Sequence, residues 1–162
     1  MKIQVLDKTK KKKVLENLNY LGNLKMNQLF IKTGDRVRIF SGNLSNDEII
    51  KIWSMFQIEG IGLYFAKDFK DKRQNQETRV SIDGIHAIQN QITSNIVELE
   101  ESQLNNWFKG HNIELFKEQQ KLHEKTQGFV AVKYQEDFVG TAKIKQGKTL
   151  LTFLPKERRR RD

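Results

Sequence analysis

An α+β fold follows from three features of the 162-residue sequence. Ten Phe, two Trp and a large stock of Ile and Leu can build a core, although 30% of residues are charged. Strand-like alternation and helix-like apolar spacing take turns along the first half of the chain. From residue 128 onward, three short strands follow one another with tight turns, the pattern of an antiparallel meander in a small barrel. The expectation is a small mixed α/β unit over residues 1–85, then an antiparallel β-barrel over residues 86–162 that ends in a basic tail.

The elements are justified in order. Residues 1–13 read as extended, with Ile3, Val5 and Leu6 ahead of Lys8 and Lys10–Lys13. Leu15, Leu18, Leu21 and Leu24 make residues 14–31 partly helical, with a break near Gly22. Ile31–Phe40 is strand, turn, strand: Val37 and Ile39 alternate with Arg36 and Arg38 after the Thr33-Gly34-Asp35 turn. Ser45 or Asn46, followed by Asp47 and Glu48, starts a helix with an apolar face of Ile49, Ile50, Trp53 and Phe56. Strands are expected at Ile61–Ala66 and Arg79–Ile82. The polar stretch 67–78 between them reads as a long hairpin loop, either a contact loop or mobile lid, or a variable surface hairpin. Residues 83–97 restart the chain with a short helix. Residues 98–122 are acidic and amphipathic, with a stop at Lys109-Gly110-His111-Asn112. Strands follow at Phe129–Tyr134, Phe138–Ile144 and Thr149–Leu154, and Pro155 closes the last.

The charge is uneven. The net charge is +9, yet residues 1–13 carry +5, residues 143–162 carry +6, and the segment between carries −2. A basic excess clustered at the two ends is the footprint of a polyanion, most often nucleic acid. The lysine run 10–13 reads as an arm on RNA or as a solvated charge run, and the arm is preferred because it shares its sign with the tail. Several function classes fall away. The sequence has no cysteine, which excludes a disulfide scaffold, a cysteine-ligated zinc site and a cysteine nucleophile. His86, His111 and His123 lack metal-ligand spacing, so no metal and no cofactor are expected. No apolar run is long enough for a membrane span. The start Met-Lys-Ile-Gln-Val lacks the apolar stretch of a signal peptide, so a cytoplasmic protein without membrane contact is expected.

The C-terminal run carries the sharpest chemistry. Gly140 sits inside a strand, where glycine permits a bulge or a close approach by another backbone. Lys143 and Lys145 share one strand face by period-two spacing. Lys156 and then Arg158, Arg159, Arg160 and Arg161 follow, and arginine's planar donor fork suits phosphate. These side chains are expected to converge on one edge of the barrel. The competing reading is a frayed, solvated tail. Gly60-Ile61-Gly62 lacks the rest of a nucleotide-binding loop and reads as strand packing. Tyr64, Phe65 and Phe69 stand among Lys67, Lys70, Lys72 and Arg73. Strict alternation puts Tyr64 and Phe65 on opposite faces, so core packing is the better reading for most of these rings.

Val132-Lys133-Tyr134, Phe138-Val139-Gly140, Lys143-Ile144 and the string Phe153-Leu154-Pro155-Lys156-Glu157-Arg158-Arg159 resemble the PUA-like RNA-binding module at the end of Sun-family RNA 5-methylcytosine methyltransferases. Arg36–Gly42, Ile58–Ala66, Arg79–Gly84 and Trp107–Glu114 look like stand-alone archaeal relatives of that module. The resemblance implies a PUA-like barrel and a structured ribosomal or transfer RNA as ligand. It does not imply catalysis, because the methyltransferases need catalytic cysteines and a dinucleotide-type domain that this sequence does not contain. The expected function is therefore non-catalytic RNA binding, in ribosome biogenesis, rRNA processing or RNA modification. Lys133, Lys143, Lys145, Lys156 and Arg158–Arg161 would meet phosphates, and Tyr134 or an exposed loop aromatic a base, with Gly140 counted in the same RNA-binding stretch. The alternative is a protein-interaction subunit that docks through the acidic segment 98–118 onto an RNA-modifying enzyme or a ribosomal protein.

Overall fold

Local capping and strand alternation set the elements of the computed structural model, which describes residues 3–56 and 58–161. Met1, Lys2, Gln57 and Asp162 lie outside them, so the extended segment expected from residue 1 is described from Ile3 on. The chain forms two units. One takes the chain up to Asn19 and Leu24–Ala87; the other takes Tyr20–Asn23 and the chain from Ile88 onward. The α+β class predicted from the sequence is what the structure has: five α-helices and two five-stranded sheets among the described residues.

The N-terminal unit is a meander. Strands β1 (Ile3–Val5), β2 (Leu29–Thr33), β3 (Arg36–Phe40), β4 (Leu63–Lys70) and β5 (Gln76–Val80) pair in sequence order, all antiparallel. Helix α1 (Lys8–Glu16) follows β1. The extended reading of residues 1–13 is thus corrected after Val5. Asp7 caps the helix, its carboxylate accepting from the Lys10 N–H at 2.9 Å. Lysine is a good helix former, and buried Val14 ties the helix down. The arm expected at Lys10–Lys13 is therefore helix. Helix α2 (Asn46–Met55) starts at Ser45 with a full capping box, Ser45 and Glu48 bonding each other's backbone N–H. Ile49 and Trp53 pack it over Ile3 and Ile31, whereas Ile50 and Phe56, expected in the same face, are exposed.

The long loop expected at 67–78 is mostly ladder. Asp68 pairs with Thr78, Phe69 with Glu77 and Lys70 with Gln76, which leaves residues 71–75 as the turn. Polar composition concealed a strand because Asp68 itself is buried. Its carboxylate accepts from Lys32, from Gln76 Nε2 at 2.6 Å and from Thr78 Oγ1 at 2.9 Å. A buried carboxylate with its acceptor sites filled is tolerated in a sheet. Ile82, expected in the third strand, instead opens α3 (Ile82–Ile88).

The second unit holds β6 (Ile96–Glu98), α4 (Glu101–Phe108), β7 (Ile113–Glu114), α5 (Lys117–Leu122), β8 (Gly128–Tyr134), β9 (Asp137–Lys145) and β10 (Thr149–Thr152). Its sheet runs β6-β8-β9-β10-β7 and curls into a half-barrel, with β6 parallel to β8 and the other pairs antiparallel. Trp107 of α4 fills the curl among Val97, Val130, Val132, Ala142, Ile144 and Leu150. The acidic segment 98–122 is two short helices separated by β7. Two fully satisfied buried amides lock them. Gln103 Nε2 donates to the Glu114 carbonyl and Gln119 Nε2 to the Glu98 carbonyl, while each amide also bonds the other at 3.1 Å. Their oxygens accept from the Glu100 and Phe116 N–H groups.

Candidate nucleic-acid interface

The C-terminal run is anchored. After β10, Thr152 N–H donates to Asn112 Oδ1 at 3.3 Å and Phe153 N–H to the Thr141 carbonyl at 3.3 Å. Leu154 is buried, and Pro155 leads into a single 3₁₀ turn over Lys156–Arg158. Arg159 Nε donates to the Leu154 carbonyl at 3.1 Å, and its side chain lies against Gly110. Gly110 has φ +78°, which favours glycine, and a Cβ there would stand 2.3 Å from that Nε and push the Arg159 side chain aside. Arg160 N–H donates to the Phe108 carbonyl at 2.7 Å. The frayed-tail reading is thereby set aside through Arg160.

The same end of α4 shapes β9. Trp107 Nε1 donates to the Val139 carbonyl at 3.2 Å. Val132 faces Gly140 but Lys133 faces Phe138, so Val139 is an extra residue and the strand bulges there. Gly140 has φ +147°, and a Cβ on it would lie 3.0 Å from Trp107 Cζ2. Of the two readings of Gly140, the bulge is found beside it, and the neighbour at the glycine is the Trp107 indole and not another backbone. Beyond the bulge, the β8–β9 hairpin carries Lys133, which stands 3.6 Å from the exposed carboxylate of Glu136, and half-buried Tyr134, whose hydroxyl accepts from Gln135 Nε2.

These bonds bring Gly140, Lys156 and Arg158–Arg161 around the C-terminus of α4, whereas Lys133 and Tyr134 lie on the β8–β9 hairpin, where the Lys133 carbonyl accepts from the Leu99 N–H at 2.8 Å, ahead of the N-terminus of α4. Lys143 and Lys145 go elsewhere. They share a face of β9, as period-two spacing predicts, but they sit opposite Leu151 and Thr149, toward the 146–148 turn. Five strand residues separate Lys145 from Gly140, about 16 Å along the ladder. Convergence of all these cations on one edge is corrected on that ground. Lys143 lies over the Phe129 ring with Nζ 5.0 Å from its centroid. Lys156, Arg158, Arg160 and Arg161 are exposed, whereas Arg159 is partly buried.

In the sequence, Lys109, Gly110 and His111 signal only a helix stop. The structure puts them beside the arginine run, with Lys109 at the C-cap of α4. A cation following Trp-Phe at a helix end was the available signal. In the N-terminal unit, Lys10 and Lys13 line a cleft of about 500 Å³ with Lys32, Asp68 and Gln76. Lys11 turns inward instead. Its Nζ donates to the Gln28 carbonyl at 2.8 Å, and burial holds its pKa below the usual lysine value. Burial likewise lowers the pKa of His123, whose Nδ1 lies 3.5 Å from Thr126 Oγ1. Among the described residues no group of three or more His, Asp or Glu is placed to hold a metal ion, and no helix is long and apolar enough to cross a membrane.

Residues 94–160 match the family model described as the methyltransferase RsmF PUA domain. The matched stretch spans β6 to the arginine run and so covers the whole half-barrel together with its anchored C-terminal segment. A PUA domain implies RNA binding. No curated protein matches the chain.

Proposed function

We propose that this chain is a non-catalytic RNA-binding protein that acts on structured ribosomal or transfer RNA, in ribosome biogenesis or RNA modification. The observation that carries the reading is the anchored arginine run at the end of the PUA-domain half-barrel. Arg159 and the Arg160 backbone hold the run against α4, so the charged ends of Lys156, Arg158, Arg160 and Arg161 are presented from a fixed backbone. Preorganised cations lose less freedom on binding than a loose tail does. Phosphate contacts position the protein, and base or shape contacts must supply selectivity. Lys133 and Tyr134 on the β8–β9 hairpin are suited to that. The 162 residues hold no thiol for the covalent chemistry of the methyltransferases whose module they resemble, which supports the non-catalytic reading.

The test is a salt titration of binding to folded transfer or ribosomal RNA, with duplex DNA as competitor. Replacing Arg160 and Arg161 together by alanine should flatten the slope of log affinity against log salt, by about one for each phosphate left unneutralised, with the melting temperature unchanged. An unchanged slope would remove those arginines from the interface. Equal affinity for RNA and DNA that collapses together with salt would reduce the two basic ends to unspecific attraction. A second reading has one observation in its favour: Phe116 and Leu122, in or next to the acidic segment, are 46% and 80% exposed. A protein partner such as an RNA-modifying enzyme or a ribosomal protein would cover them, and its recovery after nuclease treatment would favour that reading.

A further inference from the structure

The N-terminal unit has a cationic and aromatic sheet face with no assigned role. Tyr64 and Phe69 lie on β4, and strict alternation would set them on opposite sides. A bulge prevents this. Arg38 faces Tyr64 and Arg36 faces Lys67, so β4 spends an extra residue between them, and Phe65 and Ala66 are both buried. Directly opposed residues of an antiparallel pair point to the same side. Arg36, Arg38, Tyr64, Lys67 and Phe69 therefore share one face, and Arg79 joins them opposite Lys67. Helix α2 packs on that same face, since Ile31 lies under Ile49 and stands opposite Arg38. Its apolar contacts there reach β1, β2 and the end of β3, and the β4 and β5 side carries the charged and aromatic residues.

The groups on this face are already organised against one another. The Arg36 and Arg38 guanidinium carbons lie 5.9 and 6.0 Å from the Tyr64 ring centroid, and Lys67 Nζ lies 5.3 Å from that of Phe69. Arg38 is fixed further by donating Nη1–H to the Gly62 carbonyl at 3.0 Å. Lys67 bonds Asp35 at 3.0 Å and keeps 39% of its side chain exposed. Arg36, Arg38, Lys67 and Arg79 share this face with the carboxylates of Asp35 and Glu77, and a cluster of cations beside aromatic rings suits a polyanion. Planar rings and guanidinium groups on a sheet offer stacking surfaces that a duplex cannot use, because its bases are already stacked.

We propose that this face is a second RNA contact, separate from the arginine run, which takes unpaired bases by stacking on Tyr64, Phe69 and the Arg36 and Arg38 guanidinium planes. The proposal rests on the RNA-binding reading above and adds the ligand class: single-stranded segments next to structured RNA. Its test uses the full chain and a single-stranded RNA oligonucleotide that carries 5-iodouridine. Photo-crosslinks mapped by mass spectrometry should fall in the peptides containing Tyr64 and Phe69. Phe69→Leu and Tyr64→Leu, each checked for an unchanged melting temperature, should lower single-strand affinity about 5- to 150-fold per stacked base with little change in salt slope. If Tyr64→Leu fails to fold, Arg36→Gln on the exposed surface takes its place.

Crosslinks confined to residues 88–161, or unchanged affinity in folded Phe69→Leu and Arg36→Gln, would overturn the proposal and leave the arginine run intact. Loss in these variants, with no loss of single-strand affinity in Arg160→Ala/Arg161→Ala, would uphold this face as a contact separate from the arginine run. Displacement of the oligonucleotide by polyglutamate as readily as by RNA of equal charge would also overturn it, because stacking would then play no part.

Discussion

At Gly140 the choice of one residue decides whether the hairpin that carries Lys133 and Tyr134 can form. The position needs φ +147°, and the Trp107 ring stands 3.0 Å from where a Cβ would go. Alanine would have both a strained backbone and a neighbour that cannot move freely, because Trp107 is fully buried and bonded to Val139. Gly140→Ala should cost about 2–4 kcal/mol in a denaturant titration. It should also weaken RNA binding through Lys133 and Tyr134 without touching an RNA-facing side chain. A stability change below about 0.5 kcal/mol would mean that the bulge relaxes and does not set the hairpin. Gly140 was visible in the sequence as a strand glycine. What it approaches was not, since Trp107 comes from a helix 33 positions earlier and is brought there by the fold alone.

Helix α1 shows how a cap outweighs a charge run. Four consecutive lysines looked like a solvated arm, yet Asp7 supplies the missing acceptor to the Lys10 N–H and Val14 buries the far turn. Amides 11–14 should therefore be protected from hydrogen exchange, and Asp7→Ala should speed their exchange. The Lys10 backbone bond holds the Asp7 carboxyl below its ordinary 3.8. A carboxyl with a depressed folded pKa contributes fully above its unfolded value and loses that contribution as pH falls through the folded one. Acidification from about pH 5 to below 3.8 should thus lower protection at these amides, measured against the unstructured-chain rate at the same pH, in the wild type, and leave protection in Asp7→Ala unaffected. Equal acid sensitivity in both would refute the cap. Elements whose signals are local were legible: the Ser45 capping box, the 33–35 turn and the three C-terminal strands. Those that depend on a distant partner were not. β4 continues through Asp68 because Lys32, Gln76 and Thr78 satisfy it, and β4 holds Tyr64 and Phe69 on one face because a bulge intervenes. The C-terminal cations were legible as a cluster, but their separation into an arginine end and a Lys143–Lys145 end follows from strand register, which composition does not carry.

The two units each have a core and a buried polar network of their own, and this bears on how the molecule answers damage. Asp68 joins strands β2, β4 and β5, whereas the Gln103–Gln119 pair joins two helix starts to β6 and β7. Removing one member leaves its buried partners, Thr78 in one network and Gln103 or Gln119 in the other, short of hydrogen bonds. Gln103→Leu orphans the Glu100 N–H and the Glu114 carbonyl, removes both bonds that Gln119 makes to Gln103, and should cost about 2–4 kcal/mol. Asp68→Ala should cost about 1–3 kcal/mol, discounted because Lys32 keeps 26% of its side chain in solvent. Hydrogen exchange on the whole chain separates the two effects. Asp68→Ala should raise exchange in peptides from residues 3–19 and 24–87, and Gln103→Leu in those from residue 88 onward. A rise spread evenly over all peptides in both variants would mean one cooperative fold instead. The functional consequence is specific. The arginine run hangs on Leu154 and Phe108, both in the second unit. Asp68→Ala should therefore keep the steep salt dependence of RNA binding and lose the single-strand preference of the Tyr64 face, while Gln103→Leu should do the reverse.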